Sequence, residues 1–314
     1  MKNISFNIIP YHNNYEEALM ALEHDTPQGS YVKLEMIKPY FLSRSDIFED
    51  YSIFLAIEKF SNKLIGVIAA TILPLKINNE QKMMGFGYDF KVAPHYRNLG
   101  IAKKLEKYQI KHYFSRNDIQ NYFTVTKSSN LPIRNVILSI PKQMEITPFL
   151  YLTIPTNKSA KLSRLKSTHQ RFSVGLYTKN KNLEKYIIKG TSGLTAWRTL
   201  DCYKLRIQNI SWLLRVNHSW MKFLIPEKAA VLQKGKVLNF ATLYNFDSTN
   251  IYGINEFLVM LHDLGIPYLN VCCAKNDFVY KLLKPIALSI TPYNLFDTLG
   301  NTNRKNIGID VRCL

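Results

Sequence analysis

Phe90-Lys91-Val92-Ala93-Pro94-His95-Tyr96-Arg97-Asn98-Leu99-Gly100-Ile101-Ala102 reads as the end of a strand, a short loop and the start of a helix. Pro94 stops the strand, because proline has no N–H to give to a ladder. The helix is expected to begin at about Leu99. The first N–H groups of a helix find no partner inside it, and they carry partial positive charge toward whatever precedes them. Gly100 lacks a side chain, so the backbone can close on a bulky anion. Arg97 adds a permanent charge beside it. The stretch therefore predicts a pyrophosphate cradle at a helix N-terminus.

The chain before this loop reads as an antiparallel meander. Ser52 to Lys59, Lys63 to Ile77 and Met83 to Val92 are apolar, β-branched runs, and Asn78-Asn79-Glu80-Gln81 supplies a turn. Ile4 to Ile9 reads as a first strand, and Tyr15 to Glu23 and Val32 to Leu42 have helical spacing. After the loop, Ile101, Leu105, Tyr108 and His112 fall on one helical face, with Lys103, Lys104, Lys107 and Lys111 mostly on the other. Tyr122 to Thr126 follows as a strand, Leu131 to Ile140 as a short helix and Ile146 to Ile154 as a strand.

Val92, Pro94, Arg97, Gly100 and Ala102 stand at the spacing V-x-P-x-x-[QR]-x-x-G-x-[GA], after a meander and before an amphipathic helix. In this the chain resembles the GNAT superfamily, the Gcn5-related N-acetyltransferases. The likeness is sharp over residues 88–105 and extends in element order over about 1–156. It implies acetyl-CoA as cosubstrate and a primary amine, on a protein or a small molecule, as acceptor, with direct attack in a ternary complex. It also implies that backbone groups of Phe90, Lys91 and Val92 meet the pantetheine arm as an added strand would. Arg97, Asn98, Leu99, Gly100, Ile101 and Ala102 would hold the pyrophosphate, and Asn130 would stand where many members have an Asn after the next strand.

Many members carry a Tyr seven or eight residues after that Asn as general acid. Here those places hold Ile137 and Leu138, which cannot donate a proton, and Tyr151 is a substitute. The base is sought on the motif strand at Asp89, with Tyr88 beside it, since an amine attacks only when neutral. A solvated or ion-paired Asp89 is the competing reading. His95 follows a proline in a turn and reads as a surface residue.

The second half repeats the pattern. Trp220 to Pro226, Ala229 to Lys234, Val237 to Tyr244, Tyr268 to Cys273 and Leu288 to Phe296 read as strands, with a turn at Lys234-Gly235. Ile254 to Leu264 and Phe278 to Leu283 read as helices, with Gly265 as a C-cap. Ile146-Thr147-Pro148-Phe149 recurs as Ile290-Thr291-Pro292-Tyr293, and Asn130 recurs as Asn276, at offsets of 144 and 146. The expected fold class is α/β (α+β): tandem GNAT-like folds, each a mixed, mostly antiparallel sheet flanked by helices, the second copy divergent. The expected division is an acetyl-CoA-binding catalytic domain at 1–156, a basic linker at 157–171 rich in Lys158, Lys161, Arg164, Lys166 and Arg171, and a divergent domain at 172–314. The loop Phe246 to Ile254 lacks the Arg and the spaced small residues, and Asp247 would repel a diphosphate, so the second half is expected not to bind acetyl-CoA. The layout is also remotely similar to the HOOKLESS-type plant N-acetyltransferases, which pair an intact N-terminal GNAT domain with a divergent C-terminal one.

The 314 residues carry a formal charge of +18, a field that attracts polyanions. An acidic protein or a nucleic acid is therefore a candidate partner, and a non-catalytic GNAT-like protein binding CoA, RNA or ribosomes through this surface is the alternative function. Cys202, Cys272, Cys273 and Cys313 form no CxxC pair, which fits a reduced compartment and no metal site. No apolar run reaches the ~20 residues of a membrane span, and no signal peptide is evident at the start. A cytoplasmic protein is expected, a translocated bacterial protein being the other possibility. A membrane-surface acyltransferase has no evident amphipathic anchor.

Overall fold

The computed structural model describes residues 4–29, 31–140, 142–162, 171–178, 180–200, 202–216, 232–247, 249–300 and 306–314. The first half runs β1 (Phe6–Pro10), α1 (Glu16–Asp25), β2 (Val32–Ile37), β3 (Tyr51–Glu58), β4 (Leu64–Ile77), β5 (Glu80–Val92), α2 (Ile101–Gln109), β6 (Tyr122–Lys127), α3 (Leu131–Leu138) and β7 (Glu145–Pro155). The second runs β8 (Phe172–Gly175), α4 (Lys181–Glu184), β9 (Ile187–Lys189), β10 (Thr195–Arg198), β11 (Lys204–Ile210), α5 (Trp212–Val216), β12 (Val237–Leu238), β13 (Phe240–Tyr244), α6 (Ile254–Asp263), β14 (Tyr268–Cys273), α7 (Phe278–Leu283), β15 (Ser289–Asp297) and β16 (Ile307–Asp310).

One large mixed sheet, flanked by helices, joins the halves in the order β1-β3-β4-β5-β6-β15-β7-β14-β13-β10-β9. The order is a palindrome in kind. β5 and β6 pair in parallel, as do β13 and β14. At the centre each half lends a strand to the other: β15 lies between β6 and β7, and β7 lies between β15 and β14. A smaller sheet, β12-β11-β2, also takes a strand from the first half.

The helix expected within Val32 to Leu42 is corrected. Val32–Ile37 is the strand β2, because it pairs with β11 far along the chain, and Phe41–Ile47 forms a 3₁₀ segment. Long-range pairing overrides local spacing here. The face of α2 is corrected as well. Ile101, Leu105 and Gln109 are its buried residues, and a π-helical stretch, Ile110–Phe114, then brings Tyr113 and Phe114 inward in place of His112. The wider π turn advances the buried face beyond the 3.6-residue period.

The meander, α3, α6, α7, β14 and β15 lie where the patterns put them, within a residue or two at their ends, except that β5 starts three residues early at Glu80, inside the expected turn. Gly265 caps α6 with φ +70°. The strand expected over Val237 to Tyr244 breaks at Asn239 into β12 and β13, which join different sheets. Trp220 to Pro226, Ala229 to Val231, and Arg164 and Lys166 of the basic stretch lie outside the described residues, and Leu232 to Lys234 form no strand. The described start of that stretch is not wholly exposed: the Ala160 N–H donates to Asn255 Oδ1 at 2.8 Å and its carbonyl accepts from Asn255 Nδ2 at 3.0 Å.

Candidate functional site

The parallel pairing of β5 with β6 is brief. Gly85 stands opposite Tyr122 and Phe86 opposite Phe123, and Thr124 Oγ1 donates to the Gly87 carbonyl at 2.9 Å. Beyond Gly87 the strands part. On the other edge of β5, three positions from Tyr88 to Lys91 match two from Val67 to Ala69 on β4. Asp89 sits at this bulge with φ +45°. A bulge bends the strand away from its partner, so β5 and β6 open into a cleft. Gln109 of α2 supports the bend, donating Nε2–H to the Ala69 carbonyl at 2.9 Å.

The loop at the mouth of the cleft has the expected form. Arg97, Asn98 and Gly100 are exposed, Leu99 and Ala102 half-buried and Ile101 buried. The helix begins at Ile101, two residues later than expected, with Gly100 as its N-cap at φ +77°. A Cβ placed on Gly100 meets nothing within 4 Å, so the helix N-terminus faces open space with unspent N–H groups. Arg97 Nε–H donates to the Val92 carbonyl at 3.3 Å, which ties the guanidinium to the end of β5. These residues fit a diphosphate: open volume, free backbone donors and a fixed cation.

Phe90 and Val92 pack with the small apolar cluster that also holds Ile101 and Leu105 of α2. Asn130, the N-cap of α3, donates Nδ2–H to Thr126 Oγ1 at 3.3 Å. Ile137 is buried and Leu138 exposed. Lys91 turns its ammonium away from the cleft to Glu23 Oε1 at 2.7 Å, so only its backbone is available to a pantetheine arm.

On the opposite face of β5 a charged cluster is buried. Asp89 accepts from Lys38 Nζ at 2.5 Å and from Arg44 Nη1 at 2.6 Å, and Lys38 also lies 3.3 Å from Glu23 Oε2. Burial alone would raise the Asp89 pKa, but the adjacent Lys38 and Arg44 charges outweigh it and hold the carboxyl well below its usual range. Such a carboxylate is a weak proton acceptor, and the geometry favours the ion-paired reading of Asp89. The Tyr88 hydroxyl donates to Ser45 Oγ at 2.9 Å, and burial pushes its phenol up. The bulge is what turns the consecutive Tyr88 and Asp89 to one side, which no periodicity announces.

That face continues across the exchanged strands. Lys127 pairs with Tyr293, and Tyr293 with Phe149. Tyr151 lies 5.6 Å from Tyr293, ring to ring, and its hydroxyl is 3.2 Å from Thr242 Oγ1. Burial raises the Tyr151 phenol well above its ordinary value. The sequence singles out Tyr151 but not Lys127 or Tyr293, although Tyr293 belongs to the repeated Ile-Thr-Pro quartet.

The equivalent loop of the second half is closed. Asp247 Oδ1 accepts from the N–H groups of Thr249 and Asn250 at 2.7 and 3.0 Å, so the chain's own carboxylate takes the donors. A Cβ on Gly253 would collide with the side chain of Ser192.

Among the described residues, no cluster of three or more His, Cys, Asp or Glu could hold a metal ion, and no helix is long and apolar enough to cross a membrane. The chain matches no curated protein sequence. Its fold is similar to that of Saccharomyces cerevisiae N-myristoyltransferase with bound myristoyl-CoA, at 9% identity and TM-score 0.55, over 95% of this chain and 83% of that one. It is also similar to a GCN5-related glucosamine N-acetyltransferase region of a fungal multi-domain GH3 β-N-acetylglucosaminidase, at 10% identity and TM-score 0.52, over 94% of this chain and 38% of that one. Residues 17–137, which contain the meander, the cradle and the cleft, match the acetyltransferase (GNAT) family. Over this region the chain is thus similar to the acetyltransferase (GNAT) family.

Proposed function

We propose that the protein moves an acetyl group from acetyl-CoA to a primary amine by direct attack in a ternary complex. The observation that carries this reading is the empty space over Gly100 at the mouth of the β5–β6 cleft. Residues 1–156 would hold acetyl-CoA, with the pyrophosphate on the Arg97–Ala102 loop and the pantetheine arm along Phe90 to Val92. The second half, its own loop closed by Asp247, would complete the acceptor side through β15 and Tyr203.

The chemistry asks for a proton donor to the leaving thiolate and a route for the amine proton. Burial raises the Tyr151 phenol, so it keeps its proton and offers its O–H as a hydrogen-bond donor to the leaving thiolate, which takes its proton from water. Asp89, held ionised by Lys38 and Arg44, shapes the field of the acceptor side, and the amine proton leaves to water.

Calorimetric titration with acetyl-CoA, followed by thiol release with a panel of amines, tests this. One-to-one binding and amine-dependent release of free CoA support the proposal. Binding without transfer to any amine would turn the reading toward a non-catalytic CoA-binding protein, and absence of binding would end it.

A further inference from the structure

Lys127 is the last residue of β6, on the far wall of the cleft from Phe90. Directly opposed residues of antiparallel strands share a face, so Lys127, Tyr293 and Phe149 form one row across β6, β15 and β7. The row lies on the side of Asp89, because Phe123, two steps of alternation from Lys127, stacks on Phe86 at 5.0 Å, and Phe86 stacks on Tyr88 at 5.4 Å. Tyr203 of the second half roofs this side, its ring 5.8 Å from the Arg44 guanidinium.

The polar tips here are unspent. Lys127 is half-buried, yet no carboxylate faces it and no hydrogen bond holds its ammonium among the described residues. Burial without a counter-ion pushes its pKa down. The hydroxyls of Tyr203 and Tyr293 have no hydrogen-bond partner among the described residues, and burial raises both phenols, with Tyr203 adding to the rise at Tyr293. The charged cluster beside them is unbalanced: Lys38, Arg44 and Lys91 face two carboxylates, Glu23 and Asp89. Arg44 Nε is buried with no hydrogen-bond partner. A desolvated cation with two phenol donors and a net positive surround is stabilised most by an incoming oxyanion.

We propose that this face is the acceptor site, and that the amine it accepts also carries an oxyanion, a carboxylate or phosphate, seated on Lys127 between the hydroxyls of Tyr293 and Tyr203. The inference rests on the acetyl-transfer reading above and names the substrate class of that site. Lys127 acts in it as a specificity-determining residue.

The test compares matched acceptors on the full chain: glycine with glycinamide, and glucosamine 6-phosphate with glucosamine. The expected result is that at least one anionic member of a pair is preferred over its neutral partner by tenfold or more in kcat/KM. The glycine pair reads carboxylate and the glucosamine pair reads phosphate. Lys127→Met should erase the preference mainly through KM, and Lys127→Arg should retain most of it, which separates charge recognition from a folding defect. Neutral partners preferred throughout, or a preference that survives Lys127→Met, would overturn the acceptor assignment while acetyl-CoA titration still supports the transferase. Failure to bind acetyl-CoA would overturn both.

Discussion

Phe149 and Tyr293 face each other directly across β7 and β15, their rings 5.6 Å apart and 27° from parallel. They are also the equivalent fourth residues of the repeated quartets Ile146-Thr147-Pro148-Phe149 and Ile290-Thr291-Pro292-Tyr293. An antiparallel pair made of equivalent residues lies on a local two-fold axis normal to the sheet. The strand order on either side of this pair follows the same sequence of parallel and antiparallel pairings. The two halves thus share one pattern of strand pairing about this axis, and each inserts its last long strand beside the other's.

This exchange predicts joint unfolding. Residues 1–156 alone lack β15, which leaves β6 and β7 without their shared neighbour. The full chain is expected to unfold in one urea transition, and the 1–156 fragment to show no cooperative transition. Phe149→Ala, a buried aromatic truncation, should lower stability by about 3–5 kcal/mol and move the whole transition. Two separated transitions in the wild type would refute the coupling.

Local signals carry much of what is local in the fold. The strand–loop–helix form of residues 90–102, the meander and the quartet at β15 follow from turn residues, periodicity and a repeat. What escaped depends on partners far along the chain. β2 has helical spacing yet forms a strand because its register is set by β11, where the Arg206 guanidinium meets Glu35 at 2.7 Å. The row Lys127–Tyr293–Phe149 exists only through the exchange. The fate of Asp89 turns on a one-residue bulge and on Lys38 and Arg44, none of which a single strand pattern carries.

Gly100→Trp should abolish acetyl-CoA binding by filling the open space beside the helix N-terminus. Gly100→Ala separates volume from strain, since a non-glycine residue at φ +77° costs about 1–2 kcal/mol. The Ala variant should lose stability while retaining much of its affinity. Arg97→Ala should weaken binding by about 1–3 kcal/mol, the range of a hydrogen bond to a charged group. Calorimetry beside thermal melts checks all three, and unchanged affinity in folded Gly100→Trp would remove the cradle assignment.

Asp89→Asn leaves Lys38 and Arg44 facing a neutral amide inside the protein. Breaking one side of a buried ion pair costs about 3–5 kcal/mol, so the variant should lose stability at pH 7. Because the folded carboxyl is held below its unfolded value, this contribution is present above the unfolded pKa and disappears as pH falls through the folded one. The gap between wild type and variant should therefore narrow in strong acid. The acid limb of kcat/KM should keep its midpoint in the variant, while a limb that vanished would restore Asp89 as the base.

Glu106 lies on α2 with one carboxylate oxygen buried and unpartnered, and burial pushes its carboxyl up to about 7. The unfolded chain releases this proton near the ordinary glutamate value, about 4.3. Between these two values the folded state binds more protons than the unfolded state, so stability falls as pH rises and levels off above about 7. The loss amounts to as much as about 4 kcal/mol at 1.36 kcal/mol per pKa unit. Glu106→Gln cannot ionise, and it should raise stability at pH 8 by about 1–3 kcal/mol, the buried amide offsetting part of the gain. At pH 4.5, where the wild-type carboxyl is protonated in the folded state, the gain should vanish and the variant should be equal to the wild type or slightly less stable. Urea midpoints at the two pH values decide the matter, because an equal shift at both would mean that packing, and not the charge of Glu106, governs the difference.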